Sequence, residues 1–253
     1  MSAIVPSPAQ ARPFRLNVEE AFRFLARDRE WPGKLGLGAV FSFLSLVFVG
    51  TLLVNGYLLT LMERVARAEP LPLPEWEDYG ELLRKGAIVF VVDLAYYLPF
   101  WIVFGSFFVA NFALILALAG LSSGNSGGAA AGAGLASLTL FLLIALALVL
   151  GFAISLILPA AHAQLALHDA DLAAAFRMRE VFDFIRRHKG QYALAALLGL
   201  AARSGLATVG YLLCFVGIFA TNFASQLFLA HMIGQLCWHE RVTRPPATTG
   251  AAG

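Results

Sequence analysis

Charged residues are scarce in this chain. Only 13% of its 253 residues are Asp, Glu, Lys or Arg, whereas 59% are hydrophobic, and the mean hydropathy is +0.75. Soluble domains carry about 25% charged residues, so this composition argues against a water-soluble fold. Several uncharged runs reach the roughly 20 residues that one membrane-spanning helix needs. We therefore predict an all-α, polytopic integral membrane protein.

Cysteines and blocks of like charge are also scarce. Cys214 and Cys237 lie inside apolar runs without CxxC spacing, which argues against disulfides and structural metal sites. The formal net charge is +2, and no run of five or six like charges suggests binding to nucleic acid. Neither a Walker loop nor an HExxH motif occurs. We predict a non-enzymatic protein without a cofactor, a bound metal or a nucleic-acid partner.

Apolar blocks alternate with polar segments along the chain. Leu35–Met62 has 28 residues without a charge, a second apolar run follows Gly86 and ends at Leu121, and Leu135–Leu158 is a third. Gln191–Trp238 has 48 residues, enough for two spans with a turn near Cys214 to Gly217. We predict about five or six membrane-entering helices in three hairpins.

The connections between these blocks are rich in Gly, Ser and Pro. The uncharged stretch SSGNSGGAAAGAG at 122–134 predicts a flexible loop, and Pro159 is expected to end the preceding helix. The first block is too short for two full spans. It is either one tilted span or two half-helices that turn near Gly50, and the sequence leaves both alternatives open.

An amphipathic segment precedes each hairpin. In 14–27 the apolar residues recur at helical spacing, and Asn17 with Glu20 forms a plausible capping box. Similar faces occur in 76–83 and in 171–189, where Met178, Val181, Phe182 and Ile185 share one side. We predict three interfacial helices in the headgroup region. Their expected membrane anchors are Trp31, Trp76, Tyr79 and Phe182.

The basic residues predict the topology. Seventeen of the 18 Lys and Arg residues fall in 12–34, 64–85, 177–189 or after Trp238, whereas 122–134 has none. The positive-inside rule places those four segments on the cytoplasmic face of the cell (inner) membrane, with both termini inside. The N-terminus lacks the apolar core of a signal peptide. We expect disordered tails at 1–13 and 239–253 around a single helical domain, 14–238.

A weak internal repeat supports this arrangement. AFRFLAR at Ala21 and VFDFIRR at Val181 share an apolar skeleton, and each precedes a block that contains GYLL, at Gly56 and Gly210. Duplication and chance are both compatible with this match.

The order of these segments resembles a known family. GYLLTLMERVARAEPLPLPEWEDYGELLRKG, an apolar run, a Phe-rich amphipathic helix and FLAHMIGQLCW are similar to domain-of-unknown-function family 4013, polytopic membrane proteins of bacteria and archaea. The resemblance extends from about Val18 to Trp238. It implies a membrane location and this topology, but no chemistry. Its most specific residues are Pro74, Trp76, Asp78, Gly86, Ala230, His231, Gly234 and Gln235.

Polar residues inside the apolar runs are the candidate functional residues. A charge at the bilayer centre costs at least about 2.5 kcal/mol, so Asp93 and Arg203 indicate either a buried ion pair that fixes helix register, a transport site, or separate snorkelling to water. The uncharged candidates bond across helices or line a site. They are Asn111, Asn222, Gln226 and His231.

Two functions fit these observations. The first is a scaffold or accessory subunit whose interfacial helices organise the cytoplasmic leaflet or other membrane protein subunits. The second is a small transporter or lipid-handling protein that uses Asp93, Arg203 and the broken first hairpin. An enzyme acting on lipid fits least, because no nucleophile and base can be placed together.

Overall fold

The computed structural model describes residues 14–70, 73–121, 126–212 and 214–244. All regular structure within these ranges is helical, which confirms the predicted all-α class. The predicted tail 1–13 and the segment 245–253 lie outside the described residues. The helices are α1 (Val18–Arg27), α2 (Trp31–Leu44), α3 (Val49–Ala66), α4 (Tyr79–Leu121), α5 (Ser126–Leu167), α6 (Leu172–Ala175), α7 (Met178–Arg187), α8 (Lys189–Leu212) and α9 (Cys214–Thr243).

Three segments of the described chain are long and apolar enough to cross a membrane. They are Tyr79–Leu118, Ala133–Leu167 and Lys189–Leu212. Trp31–Val47 is apolar but shorter. These helices indicate a membrane protein, and the finer prediction of five or six membrane-entering helices in three hairpins stays a prediction.

The chain divides into two compact units. One, which we call the bundle unit, comprises the residues up to Phe90 and those from Pro159 onward. The other, the apolar unit, is Val91–Leu158. Most of α4 and α5 belongs to the apolar unit, whereas α1–α3 and α6–α9 belong to the bundle unit.

The first apolar block forms two helices rather than one span. A 3-10 turn, Ser45–Val47, follows α2, and Phe48 takes the left-handed φ of 70° before α3 begins. A Cβ atom on Gly50 would lie only 2.1 Å from the carbonyl oxygen of Phe41. Since only glycine fits there, the two helices pack tightly at the turn. The half-helix alternative is therefore the observed one, with the break just before Gly50.

Glycines also allow close packing between α3 and the first turns of α4. A Cβ atom on Gly56 would lie 1.9 Å from the carbonyl oxygen of Leu82, and one on Gly86 would lie 1.7 Å from that of Leu52. Contacts of this kind between small residues are typical of helices in membranes. At the core of the bundle unit, α9 packs against α8, α3 and α2.

Helix ends differ from the prediction in three places. Pro159 lies inside α5, which continues to Leu167, because membrane helices tolerate proline where neighbouring groups satisfy the freed carbonyl. The predicted loop 122–134 is helical from Ser126, where alanines favour the helix; 122–125 lie outside the described residues. α9 runs to Thr243, beyond the expected start of the tail at 239.

The amphipathic segments pack differently from the prediction. Trp76 precedes α4 in a non-helical segment and is only 6% exposed, so an interfacial helix does not begin there and the indole is buried within the bundle unit. α1 buries Ala21 and Phe24 in the bundle unit. α7 is separated from the short α6, and it buries Val181 and Phe184.

α1 and α7 support the internal repeat. Both helices have ten residues, and both precede a pair of longer helices, α2–α3 and α8–α9. The buried pair Ala21 and Phe24 in α1 corresponds to Val181 and Phe184 in α7. The segments AFRFLAR and VFDFIRR therefore bury corresponding positions in the two helices, and the internal repeat itself stays a prediction.

The apolar unit exposes most of its described side chains. Phe141 and Val149 are 67% and 66% exposed, whereas Val92 and Leu143 are buried. Asn111 on α4 donates a short hydrogen bond to Thr139 Oγ1 on α5. A polar side chain therefore links the two helices inside the apolar sequence, as expected for a membrane environment.

Candidate functional site

A polar cavity of about 590 Å³ lies in the bundle unit beside the turn between α2 and α3. This volume is in the range of small-molecule sites in proteins, about 300–1,000 Å³. Four helices and the 3-10 turn contribute to its wall. The lining residues are Ser42, Ser45, Leu46, Thr51, Val54, Asn55, Arg203, Ala207, Tyr211, Ile218, Phe219, Asn222 and Gln226.

Three sequence-predicted site residues meet at this cavity. Arg203 comes from α8, and Asn222 and Gln226 lie one helical turn apart on α9. The spacing of four residues places both amides on the same face of α9. The sequence therefore identified three of the polar residues in the cavity wall.

Other polar lining residues come from α2, the 3-10 turn and α3, where no site residue was predicted: Ser42, Ser45, Thr51 and Asn55. Ser42 is 7% exposed, and its Oγ has no hydrogen-bond partner among the described residues. Asn55, on the opposite helix, also lines the cavity. Asn55 interrupts an apolar run in the sequence, which is the same signal that identified Asn222.

The remaining polar candidates lie elsewhere. Asn111 joins α4 to α5, as described above. Asp93 belongs to the apolar unit and Arg203 to the bundle unit, so the predicted Asp93–Arg203 ion pair stays a prediction. His231 is 3% exposed and stacks on Phe24 with ring centroids 4.2 Å apart.

His231 belongs to a contact between α1 and α9. Its Nδ1 lies 3.2 Å from Nε2 of Gln235. Gln235 in turn accepts a hydrogen bond from the Asn17 backbone N–H at 2.8 Å and donates one to the Asn17 carbonyl oxygen at 3.1 Å. This arrangement attaches the start of α1 to α9. His231 and Gln235 thus have a packing role in the described structure.

A buried ionic network links the start of α2 to the segments before α2 and before α4. Lys34 Nζ lies 2.6 Å from Asp28 Oδ2 and also contacts Glu75. Burial alone would raise the pKa of Asp28, but hydrogen bonds from Lys34 and from the Glu30 backbone N–H outweigh it and hold that pKa below its usual value. Trp76 Nε1 donates to the Lys34 carbonyl oxygen at 3.0 Å.

Trp76 and its neighbours extend this network into the core. The indole stacks on Tyr57 with ring centroids 4.2 Å apart, and Tyr57 donates its hydroxyl hydrogen bond to the Pro74 carbonyl oxygen at 3.0 Å. Asp78 accepts from the Glu81 backbone N–H at 3.0 Å and so caps α4. The residues that carry the family resemblance therefore position the helices that surround the cavity.

The other predicted anchors stay predictions as membrane contacts. Trp31 is 37% exposed, Tyr79 is 44% exposed and Phe182 is 46% exposed. Each can reach lipid from its helix. The burial of Trp76 contradicts the anchor role that we expected for it.

A second cavity, of about 770 Å³, lies at the charged end of the bundle unit among α5, α7 and α9. Its wall carries both signs of charge, and two of its arginines already have partners: Arg187 pairs with Glu240 at 2.9 Å, and Arg241 donates to the Ala166 carbonyl oxygen at 2.9 Å. Within the described residues, no group of three or more His, Cys, Asp or Glu side chains could hold a metal ion. The polar cavity is thus the stronger candidate site.

Comparison with curated proteins finds no significant match, and comparison with solved structures finds none either. A family model does match, over residues 40–221. The matched range includes the Pro74 to Gly86 segment and Arg203, but it ends before His231, so it is shorter than the resemblance in the sequence. Because it covers well over half of the chain, the protein belongs to the family DUF4013, described as proteins of unknown function.

Proposed function

We propose that the protein is a small transporter or lipid-handling protein that binds its cargo in the polar cavity. The observation that carries this proposal is the cavity itself, in which polar side chains from distant parts of an apolar chain converge beside a broken hairpin. Polar residues within membrane segments are expensive, and irregular backbone at that depth is tolerated where it lines a cavity. Many transporters build their sites from such discontinuous helices.

The position of the cavity along the helices supports this function. At 1.5 Å per residue, Arg203 lies about 21 Å from the start of α8 at Lys189, and Asn55 lies about 17 Å from the end of α3 at Ala66. The hydrocarbon core is about 30 Å thick, so in helices that begin at the cytoplasmic surface Asn55 would lie near its middle and Arg203 somewhat beyond it. We propose the bacterial inner membrane, with the basic segments and both termini on the cytoplasmic side.

Filling the cavity tests the proposal. Ala207→Trp places an indole in the cavity, and Ala201→Trp adds the same side chain to an exposed position of α8 as a matched control. Lipids and small molecules that remain bound to the purified full chain are extracted and identified by mass spectrometry. We expect a species that is present in the wild type and in the control but lost from Ala207→Trp. Identical extracts from all three folded proteins would overturn the proposal.

A scaffold or accessory role is the second candidate. α7 supports it, because Met178 and Phe182 are both 46% exposed while the same helix carries several arginines. Such a surface suits the headgroup region or a partner subunit. Changing Asp93→Asn together with Arg203→Gln distinguishes the two functions: a scaffold keeps its co-purifying subunits in mild detergent, whereas a transporter folds but loses its cargo.

A further inference from the structure

The charge of the polar cavity is the first indication of what it binds. Arg203 is the one charged residue among the described residues that line the cavity. Within the described residues of the bundle unit, Arg203 forms no ion pair. A guanidinium group that no carboxylate of its own unit neutralises favours an anionic ligand, and its planar fork matches the oxygens of phosphate or carboxylate.

Hydrogen-bond donors are the second indication. Within the described residues of the bundle unit, the side-chain amides of Asn55, Asn222 and Gln226 have no hydrogen-bond partner. The buried Ser42 Oγ also lacks one. Ser42 is buried, where polar groups are normally hydrogen-bonded, and the three amides are half-buried. These four side chains therefore offer hydrogen-bond donors to a ligand with several acceptor oxygens.

The backbone at the start of α3 also favours an anionic ligand. α3 has 18 residues and begins directly after the left-handed Phe48, without a side-chain cap. Thr51 and Asn55, in its first two turns, line the cavity. The positive end of the α3 dipole therefore lies at the cavity wall, an arrangement that favours negative charge.

The rim of the cavity differs from its interior. Leu46 and Tyr211 line it as well, but they are 76% and 73% exposed. Arg203 is exposed as well, and apolar side chains beside a cationic group suit a ligand that has both an anionic head and apolar chains. A soluble anion would gain nothing from this rim.

From these features we infer that the cavity holds the phosphate headgroup of an anionic membrane lipid, with Arg203 as its counter-ion. The inference rests on the function proposed above and names its ligand class. Ser42, Asn222 and Gln226 donate hydrogen bonds to the phosphate oxygens, while the acyl chains pass over Leu46 and Tyr211 into the surrounding lipid.

A binding titration tests this inference. The purified full chain in uncharged detergent is titrated with dihexanoyl phosphatidic acid, with dihexanoylglycerol, which lacks the phosphate, and with inorganic phosphate. Binding is measured by isothermal titration calorimetry. We expect the phosphatidic acid to bind more tightly than either other probe, and Arg203→Gln to weaken it by about tenfold or more, because a charge-assisted hydrogen bond is lost.

Matched variants distinguish a specific loss of binding from a general loss of folding. Arg179→Gln removes an exposed arginine on α7 and should leave binding unchanged. Asn222→Leu removes a donor but keeps Arg203, so it provides a second test if Arg203→Gln does not fold. We expect Asn222→Leu also to weaken the binding of phosphatidic acid.

Four outcomes contradict the inference. They are equal binding of the uncharged glycerolipid, equal binding of inorganic phosphate, unchanged binding by Asn222→Leu, and unchanged binding by a folded Arg203→Gln. If Ala207→Trp abolishes binding of the uncharged glycerolipid in the first case, the cavity still binds cargo and only the ligand class is wrong. If Ala207→Trp leaves the binding of all probes unchanged, the proposed function itself fails.

Discussion

The bundle unit and the apolar unit are both helical, but they bury very different groups. In the bundle unit Lys34 is 7% exposed and Glu63 is 2% exposed, and both are ion-paired. In the apolar unit large side chains such as Phe141 are two-thirds exposed. Apolar surface on this scale requires lipid as its solvent. The exposed surface of the apolar unit therefore indicates a membrane location, whereas the bundle unit contains the polar groups that can recognise a ligand.

Removing a buried charge should have the largest effect on stability. Lys34→Met leaves Asp28 and Glu75 without their cation, and breaking a buried pair costs about 3–5 kcal/mol. Arg84→Gln is the control, because its pair with Glu81 is exposed and worth about 1 kcal/mol or less. Unfolding free energies are measured by denaturant titration in detergent micelles. Equal stability of the two variants would remove the distinction between buried and exposed charge in the bundle unit.

Two glycines on α4 allow the packing of the two units to be compared by substitutions within one helix. Gly86 belongs to the bundle unit, and an added Cβ would lie 1.7 Å from the Leu52 carbonyl oxygen, whereas Gly105 in the apolar unit has no described neighbour within 4 Å. Gly86→Ala should destabilise the protein by about 1–3 kcal/mol, because the helices must separate.

Gly105→Ala should be neutral or stabilising by up to about 1 kcal/mol, because alanine favours the helix. Thermal unfolding of both variants in the same detergent provides the comparison. If Gly105→Ala were the more harmful change, the apolar unit would be the more tightly packed one.

Much of this architecture follows from the sequence. Hydropathy predicts the apolar helices because insertion into lipid depends on composition alone, and Arg203, Asn222 and Gln226 stand out because polar residues are costly in that environment. Tertiary packing could not be predicted from the sequence. Trp76 is of a residue type that often anchors helices at the membrane surface, but it packs on Tyr57. Pro159 lies inside a helix, although proline was expected to end it.

Part of the cavity wall also could not be predicted from the sequence. Ser42 and Asn55 are 13 positions apart in the sequence, and only the left-handed Phe48 and the close contact at Gly50 bring their helices together. Gly50 indicated such a turn as one of two alternatives, but the sequence alone could not decide between the turn and a single span. Asn55 could have been identified by the rule that selected Asn222, since both interrupt apolar stretches. Ser42 could not, because serine is common in membrane helices.

The pH dependence of stability should reflect Asp28. Its pKa in the folded protein lies below the usual value, so its contribution is complete above about pH 4, the unfolded value, and is lost as the pH falls through the folded value. Asp28→Asn keeps an acceptor for the Glu30 N–H but removes the charge. We expect the stability difference between wild type and variant to shrink between pH 6 and pH 3. A difference that stays constant would mean that the Asp28 charge does not stabilise the fold.

The smallest effect should come from the apolar unit. Asn111→Ala removes the hydrogen bond to Thr139 between α4 and α5, and such bonds in membrane proteins contribute about 0.6 kcal/mol on average. Ser106→Ala is the control, because Ser106 bonds to the Ile102 carbonyl oxygen of its own helix. Both variants are compared with the wild type by titration with a denaturing detergent. If Asn111→Ala lowered the free energy of unfolding as much as Lys34→Met, the apolar unit would depend on polar contacts as strongly as the bundle unit does.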